Sequence, residues 1–319
     1  MKWNKLGKIF DPGDYGFMFA QSPQALVFDD FVRVYFSTRE QDKDKYLSHI
    51  AFVDFDKHFK EVINVSKDTV IPLGKLGAFD EHGIFPVNIV RYENKVYGYT
   101  SGWNRKVSVS VDTGIGLAIS NDNGLTFQKL GDGPVLTSSL HEPFLVGDPF
   151  VQIINGVFHM WYIYGVTWKV FDGNTQPDRT YKIGHAVSKD GIEWVKDNKQ
   201  LIQDRFPDES QALPTVIYFR NKYHMFFCYR QSSDFRKNSS RAYRIGYAYS
   251  NDLVNWVRDD EQVGIDVTEN SWDSDMMCYP HVFSSDGEIY LLYNGNEFGR
   301  QGFGLARLEE EMHEYPTRL

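Results

Sequence analysis

The sequence predicts an all-β protein, a single five-bladed β-propeller spanning residues 1–319, with four-stranded antiparallel blades and a ring closed by the N-terminal strand. Three observations predict it. Helical periodicity is scarce, while short aromatic and β-branched runs punctuated by Gly, Asn and Asp recur from end to end. Five prolines, Pro23, Pro86, Pro149, Pro214 and Pro280, stand 63, 63, 65 and 66 residues apart, each at the head of an apolar run. Five alanines, Ala51, Ala118, Ala186, Ala248 and Ala306, keep nearly the same spacing in later runs.

The run after each proline is expected to be the first strand of a blade. A polar turn follows (Asp29-Asp30, Glu93-Asn94, Asn155-Gly156, Asn221-Lys222, Asp286-Gly287), then an aromatic run such as VFHMWYIYG, which is hairpin chemistry. The alanine run is the third strand. In three units it ends in a polar turn and an aromatic: Ser120 to Phe127, Ser188 to Trp194 and Ser250 to Trp256. The first has the S-x-D-x-G-x-T-F form of an Asp box, in which short polar side chains bond their own backbone, so it is expected to be a folding turn. A fourth run follows each aromatic. The last unit lacks room for one, and the segment Trp3 to Gly7 (WNKLG) matches Phe127 to Gly131 (FQKLG), so it is expected to complete that blade and remove two sheet edges.

Composition narrows the function classes. Lys and Arg total 34 against 43 Asp and Glu, a net charge of −9, which argues against a nucleic-acid or anionic-membrane surface. Two cysteines are too few for a disulfide framework. MKWNKLGKIF has no apolar signal region, and no stretch approaches the roughly 18 apolar residues of a membrane helix, so a cytoplasmic setting is expected. The chain carries 24 Phe, 19 Tyr and 7 Trp, enough to build both strands and sugar-facing walls.

In a propeller the segments before the first strands and after the second strands share one face. That face collects Asp80, Glu81, His82, Glu142, Asp148, Asp208, Glu209, Asp273 and Asp275 on one side, and Arg39, Trp103, Trp168, Arg230, Asn294 and Asn296 on the other. Glu81, Glu209 and Asp275 each stand five residues before a proline, and Asp148 stands one before. Acids converging on an aromatic rim suit a carbohydrate substrate. Cleaving a glycosidic bond needs one protonated and one ionised carboxyl, and crowding acids in a medium of low dielectric supplies both. The candidate catalytic residues are therefore Asp148, Glu209, Asp275 and Glu81. The candidate substrate-binding residues are Arg39, Asp80, His82, Trp103, Trp168, Arg230, Asn294 and Asn296. Against this stands a structural account: acids before strands cap turns, Glu142, Asp208 and Asp273 belong to solvated loops, and the two arginines pair with acids. His82, His141, His185 and His281 lack metal-ligand spacing, so no metal site and no cofactor is expected, with a structural calcium in the channel as the one alternative.

With the blades placed, the sequence resembles the five-bladed propeller glycosidases: family 43 arabinanases and xylosidases, families 32 and 68, and the family 130 mannoside phosphorylases. More narrowly it resembles glycosidase-like propellers of bacterial surface-polysaccharide clusters. GDPF at 147–150, SKDGIEW at 188–194, YRIGYAYSNDLVNW at 243–256 and the run from WDSDMMCYP through YNGNEFGRQGFGLA at 272–306 carry the likeness. The resemblance implies that Asp148 orients and tunes its partners and that Glu209 is the acid. Blade one departs from the family 43 pattern, because Ala20-Gln21-Ser22-Pro23 holds no carboxylate to act as base. Three alternatives follow: Glu81 or Asp275 replaces it in a hydrolase; phosphate held by Arg39 and Arg230 replaces activated water; or the propeller binds glycans without catalysis.

Overall fold

A computed structural model describes residues 1–171 and 175–309. The tail expected to hold no fourth strand lies, from residue 310 on, outside the described residues. The N-terminal strand is β1 (Trp3–Phe10). Blade one is β2 (Gln21–Val27), β3 (Phe31–Asp42), β4 (Lys45–Asp56) and β5 (Val62–Val65). Blade two is β6 (Ile84–Tyr92), β7 (Lys95–Arg105), β8 (Val111–Ser120) and β9 (Gln128–Lys129). Blade three is β10 (Val146–Ile154), β11 (Val157–Lys169), β12 (Asp178–Ser188) and β13 (Trp194–Lys196). Blade four is β14 (Glu209–Phe219), β15 (Lys222–Gln231), β16 (Arg244–Ser250) and β17 (Val257–Arg258). Blade five is β18 (Cys278–Ser285), β19 (Glu288–Asn294) and β20 (Phe303–Leu308), with β1 as its outer strand. Trp3 pairs with Leu308 and Phe10 with Phe303, so the two ends of the chain close the ring as expected. Among the described residues no helix is long and apolar enough to cross a membrane.

Each repeat proline lies inside an inner strand, where its missing N–H would break a regular ladder. Every one sits at a β-bulge, with the register shifting across it in all five blades. Ser22, Asp148, Leu213 and Tyr279, each directly before its proline, take φ of 54°, 51°, 46° and 58°, and the Phe85–Pro86 bond is cis. The bulges form a ring around the axis, and Phe85, Asp148 and Tyr279 from that ring line one cavity.

Apolar packing joins the blades. The Tyr35 hydroxyl of blade one donates to the Gly124 carbonyl of blade two (2.7 Å), and Tyr99 of blade two donates to Gly191 of blade three (3.0 Å). These glycines belong to the polar turns. They have φ of 81° and 75°, and a Cβ on either would collide with the tyrosine hydroxyl. Within the turns Ser120, Ser188 and Ser250 accept backbone N–H groups, as do Asp122, Asp190 and Asp252, so the Asp-box sequence is indeed a folding turn.

The axis is filled. Phe85 of blade two meets Tyr279 of blade five at 5.5 Å, and Phe150 of blade three meets His281 of blade five at 6.1 Å. Neither pair belongs to adjacent blades, so these contacts cross the centre. The expected channel is thus a cup with an aromatic floor.

Candidate active site

The cup has a volume of about 340 Å³. Asp148 stands on its wall, 8% exposed, with Oδ2 accepting the Leu213 N–H (3.3 Å). Burial pushes its carboxyl up to about 7, against the opposing pull of the Leu213 N–H and the charge of Arg179. Near neutral pH it therefore exists in both protonation states and can donate a proton.

Five guanidinium groups meet the same cavity: Arg39 from β3, Arg179 from β12, Arg230 from β15, and Arg236 and Arg300 from loops. Arg39 donates through Nε to Gln21 Oε1 (2.8 Å) and lies over the rings of Phe19 and Tyr46. Arg230 is 3% exposed. It is stacked 3.6 Å from the centre of Phe235, donates to Tyr181 and to the Gln231 carbonyl, and its buried Nε has no hydrogen-bond partner. Neither Arg39 nor Arg230 forms an ion pair among the described residues. Arg179 and Arg236 share Asp178 at 4.0 and 3.8 Å, and Arg300 lies 3.9 Å from Glu297. Burial, with the neighbouring charges of Arg230 and Arg179, holds the Arg236 pKa below its ordinary value. Crowded guanidinium groups against a buried aromatic floor form a site for an anion with several oxygens, such as phosphate.

A second chamber of about 560 Å³ adjoins the first and shares Arg39, Phe85 and Trp103 with it. Tyr46 and Arg105, from the long β3–β4 and β7–β8 hairpins, and His82, from the segment before β6, stand among its other walls. Together the chambers form a cleft with aromatic faces at the junction.

Of the residues singled out from sequence, Asp148, Arg39, Trp103 and Arg230 line the cup, and His82 lines the second chamber. Trp168 lies behind Arg179, 5.4 Å from its guanidinium. Asn294 is a buried brace, donating to the carbonyls of Ala20 and Gly302 and accepting the Ser22 N–H. Asn296 holds the backbone N–H groups of Asp275 and Met276. The remaining acids named as catalytic candidates, Glu81, Glu209 and Asp275, line neither chamber. Asp275 is exposed, and Glu81 accepts the Gly77 N–H (2.8 Å) with its other oxygen 3.9 Å from His82 of the second chamber. Arg39 and Arg230, offered above as partners of acids, have none among the described residues.

Glu209 is 0% exposed and accepts from Arg258 (2.7 Å), Gln211 and the Arg205 N–H. It belongs to a repeated fastening. Asp80 pairs with Lys129, Glu142 with Lys196 (2.5 Å), Glu209 with Arg258, and Asp273 with Lys5 (2.6 Å). In each of these four blades a buried acid near the start of the inner strand grips a base on the outer strand. Asp80, Glu142 and Asp273 are therefore buried anchors, so Glu142 and Asp273 are not the solvated loop residues expected, whereas Asp208 pairs with Lys169 at the surface. The bases sit two residues after the turn aromatic, in Trp3-Asn-Lys5, Phe127-Gln-Lys129, Trp194-Val-Lys196 and Trp256-Val-Arg258, a signal present in the sequence. Glu209→Gln is expected to cost roughly 1–3 kcal/mol, the loss of a buried charge-assisted hydrogen bond, because Arg258 keeps Asp260 as its countercharge (2.9 Å). Denaturant unfolding checks this.

The inner strands around the axis carry Gln24, Asn88 and His281. With the buried Thr215 hydroxyl beside them, one imidazole and two amides offer no carboxylate for the calcium considered above, a cation that prefers carboxylate-rich oxygen shells. Among the described residues no group of three or more His, Cys, Asp or Glu is arranged to hold a metal.

Sequence reasoning missed Gln21, Arg179, Arg236, Glu297, Phe298 and Arg300, all of which line the cup. Gln21 stands in the blade-one segment noted for lacking a carboxylate. There its amide joins Arg39 to the Phe298 carbonyl (2.6 Å).

No protein-family model matches the sequence. The "1,2-beta-oligomannan phosphorylase" of Thermoanaerobacter sp. (strain X514) is 28% identical over 201 residues, 61% of this chain and 58% of that protein. Among solved structures, one described as "Glycoside hydrolase" matches with a TM-score of 0.73 at 17% identity, covering 96% of this chain and 92% of its own. The β-1,2-mannobiose phosphorylase from Listeria innocua matches with a TM-score of 0.68 at 12% identity, covering 97% and 96%. The fold is thus the one shared by propeller glycoside hydrolases and phosphorylases. Two Mycobacterium tuberculosis proteins, "Uncharacterized protein MT1551" (strain CDC 1551 / Oshkosh) and "Uncharacterized protein Rv1502" (strain ATCC 25618 / H37Rv), are each 33% identical over 314 residues, 97% of this chain and 100% of theirs. The chain belongs to the family of MT1551 and Rv1502.

Proposed function

We propose that the protein cleaves a glycosidic bond by phosphorolysis, with Asp148 as general acid and inorganic phosphate on the arginine cluster as nucleophile. The observation that carries this is the meeting of five guanidinium groups in the cavity that holds Asp148, while Glu209, Asp275 and Glu81 lie off it. A hydrolase needs a second carboxylate to activate water or to attack the sugar itself. Among the described residues the one other carboxylate lining the cup, Glu297, is largely exposed and faces Arg300, so positive charge prevails around Asp148.

In the reaction, protonated Asp148 gives its proton to the departing glycosidic oxygen. A phosphate oxygen attacks the anomeric carbon from the opposite side as the carbon–oxygen bond breaks. The products are a glycosyl phosphate and an alcohol, and Asp148 recovers its proton from the newly esterified phosphate. The arginines hold the nucleophile in line and neutralise its charge, so positioning and electrostatics supply the rate. The second chamber suits the leaving-group side of a longer glycan. The likeness to an oligomannan phosphorylase supports the same reaction type and makes β-1,2-linked mannosides the first substrates to try. The buried thiols of Cys228 and Cys278, unpaired with each other, fit a reducing cytoplasm.

The test is turnover of β-1,2-mannobiose and a panel of aryl glycosides, with and without phosphate, following release of glycosyl phosphate. Turnover is expected only with phosphate present. Equal rates in phosphate-free buffer, with free sugar as product, would restore the hydrolase.

A further inference from the structure

Glu297 and Phe298 lie on the 3₁₀ turn Asn296–Gly299 with φ of 59° and 58°. Adjacent non-glycine residues in the left-handed region are costly, and such strain persists only where the surroundings enforce it. The enforcement is visible. The Asn296 N–H donates to the Trp272 carbonyl (2.9 Å), and its side chain accepts from Asp275 and Met276 (2.8 and 3.2 Å). The Ala20 N–H donates to Gly299 (2.9 Å), and Gln21 donates to the Phe298 carbonyl (2.6 Å). The left-handed residues before four of the prolines recur with the blades, and Asn155 and Asp286 occupy hairpin turns. Glu297 and Phe298 follow from neither pattern, yet both side chains line the cup.

Their chemistry suits a sugar. Phe298 stands edge-on to Phe235 and Tyr243, each 6.2 Å away, with the Arg236 guanidinium 5.8 Å from its ring centre, and its ring lines the cup. The Glu297 side chain is 58% exposed, and among the described residues its one ion-pair neighbour is Arg300 at 3.9 Å. A carboxylate repels phosphate, so its complement is a neutral group rich in hydroxyls. We infer that the Glu297–Phe298 turn is a strained clamp forming a glycosyl subsite for a neutral pyranose. Its ring stacks on Phe298, and its hydroxyls donate to Glu297. The clamp rests on the glycan-cleaving function proposed above. Through Gln21 it is also tied to Arg39, which links the sugar side of the cup to the anion side.

The test compares wild type, Glu297→Gln and Glu297→Gly by thermal unfolding and by titration with β-1,2-mannobiose, with a panel of other neutral disaccharides alongside. Glycine adopts this φ without strain, and the exposed Glu297 side chain gives up little packing. Glu297→Gly is therefore expected to raise the ligand-free Tm by about 1–2 °C. Both variants are expected to bind the disaccharide that wild type binds best roughly 10-fold to 100-fold more weakly, the effect of one or two lost charge-assisted hydrogen bonds. Binding within twofold of wild type in both variants would overturn the clamp, as would a lower ligand-free Tm in Glu297→Gly or the absence of disaccharide binding in wild type. The phosphate-induced rise in Tm is read in the same series. Its absence alongside intact, Glu297-dependent disaccharide binding would sink phosphorolysis and leave the clamp standing.

Discussion

Asp148→Asn is expected to lose about 10³-fold in kcat, the contribution of a positioned general acid, and yet to be more stable than wild type above pH 7. Both effects come from one fact, the burial that lifts this carboxyl from 3.8 to about 7. The sign follows from linkage. Below pH 4 the group is protonated in the folded and unfolded chains alike, and the substitution changes little. Between pH 4 and 7 the unfolded chain ionises while the folded one does not, so wild type loses stability progressively. Above pH 7 the folded protein holds a buried carboxylate, at a cost of roughly 4 kcal/mol. Asparagine keeps an acceptor for the Leu213 N–H and never ionises. For a chain of this length the gain corresponds to about 5 °C in Tm at pH 8, vanishing near pH 4. Thermal unfolding across that range checks it. A variant less stable than wild type at pH 8 would mean that Asp148 is structural, and retained turnover would remove it from the reaction. The pH profile of wild-type kcat should fall through pH 7 as the acid form is lost.

How far this site could be read from sequence depends on whether a residue belongs to the repeat. Pro149 fixes a bulge, the bulge fixes the direction of the preceding residue, and so Asp148 was legible from its position alone. Arg39, Trp103 and Arg230 sit at or near the ends of second strands, whose direction is equally regular. Counting fails beyond the strands. Glu81, Glu209 and Asp275 share a distance of five residues from their prolines, but the segments entering their blades differ in length and course. One consequently faces a backbone N–H, one a buried arginine and one solvent. Arg236, Glu297 and Arg300 come from loops with no counterpart in other blades, so no periodicity pointed to them. The buried fastenings were readable in principle, since the aromatic-x-Lys/Arg motif recurs in four blades. The motif was seen only as a strand match between Trp3 to Gly7 and Phe127 to Gly131, because sequence alone does not say which acid a base will meet.

The second large effect is expected at Arg230. Replacing it with methionine keeps most of the stem and removes the guanidinium, which donates to Tyr181 and the Gln231 carbonyl and stacks on Phe235. Among the described residues Arg230 has no carboxylate partner, and a buried cation so placed adds little to folding, so stability should change by less than about 1 kcal/mol in either direction. Phosphate binding should suffer far more. Loss of a charge-assisted pair of hydrogen bonds in a dry pocket corresponds to a rise in phosphate KM of about 100-fold or more. Lysine should not restore it, because a point charge on a flexible stem cannot reproduce the planar fork stacked on Phe235. A calorimetric measurement separates this from misfolding. If phosphate binds wild type with Kd near 1 mM, a 10 mM addition stabilises the fold by about 1.4 kcal/mol. That increment should vanish in Arg230→Met while the ligand-free Tm stays put. Should the variant keep both its phosphate response and its turnover, the arginine cluster would be no nucleophile site, and the cup would need another anion, such as an acidic sugar, to explain its charge.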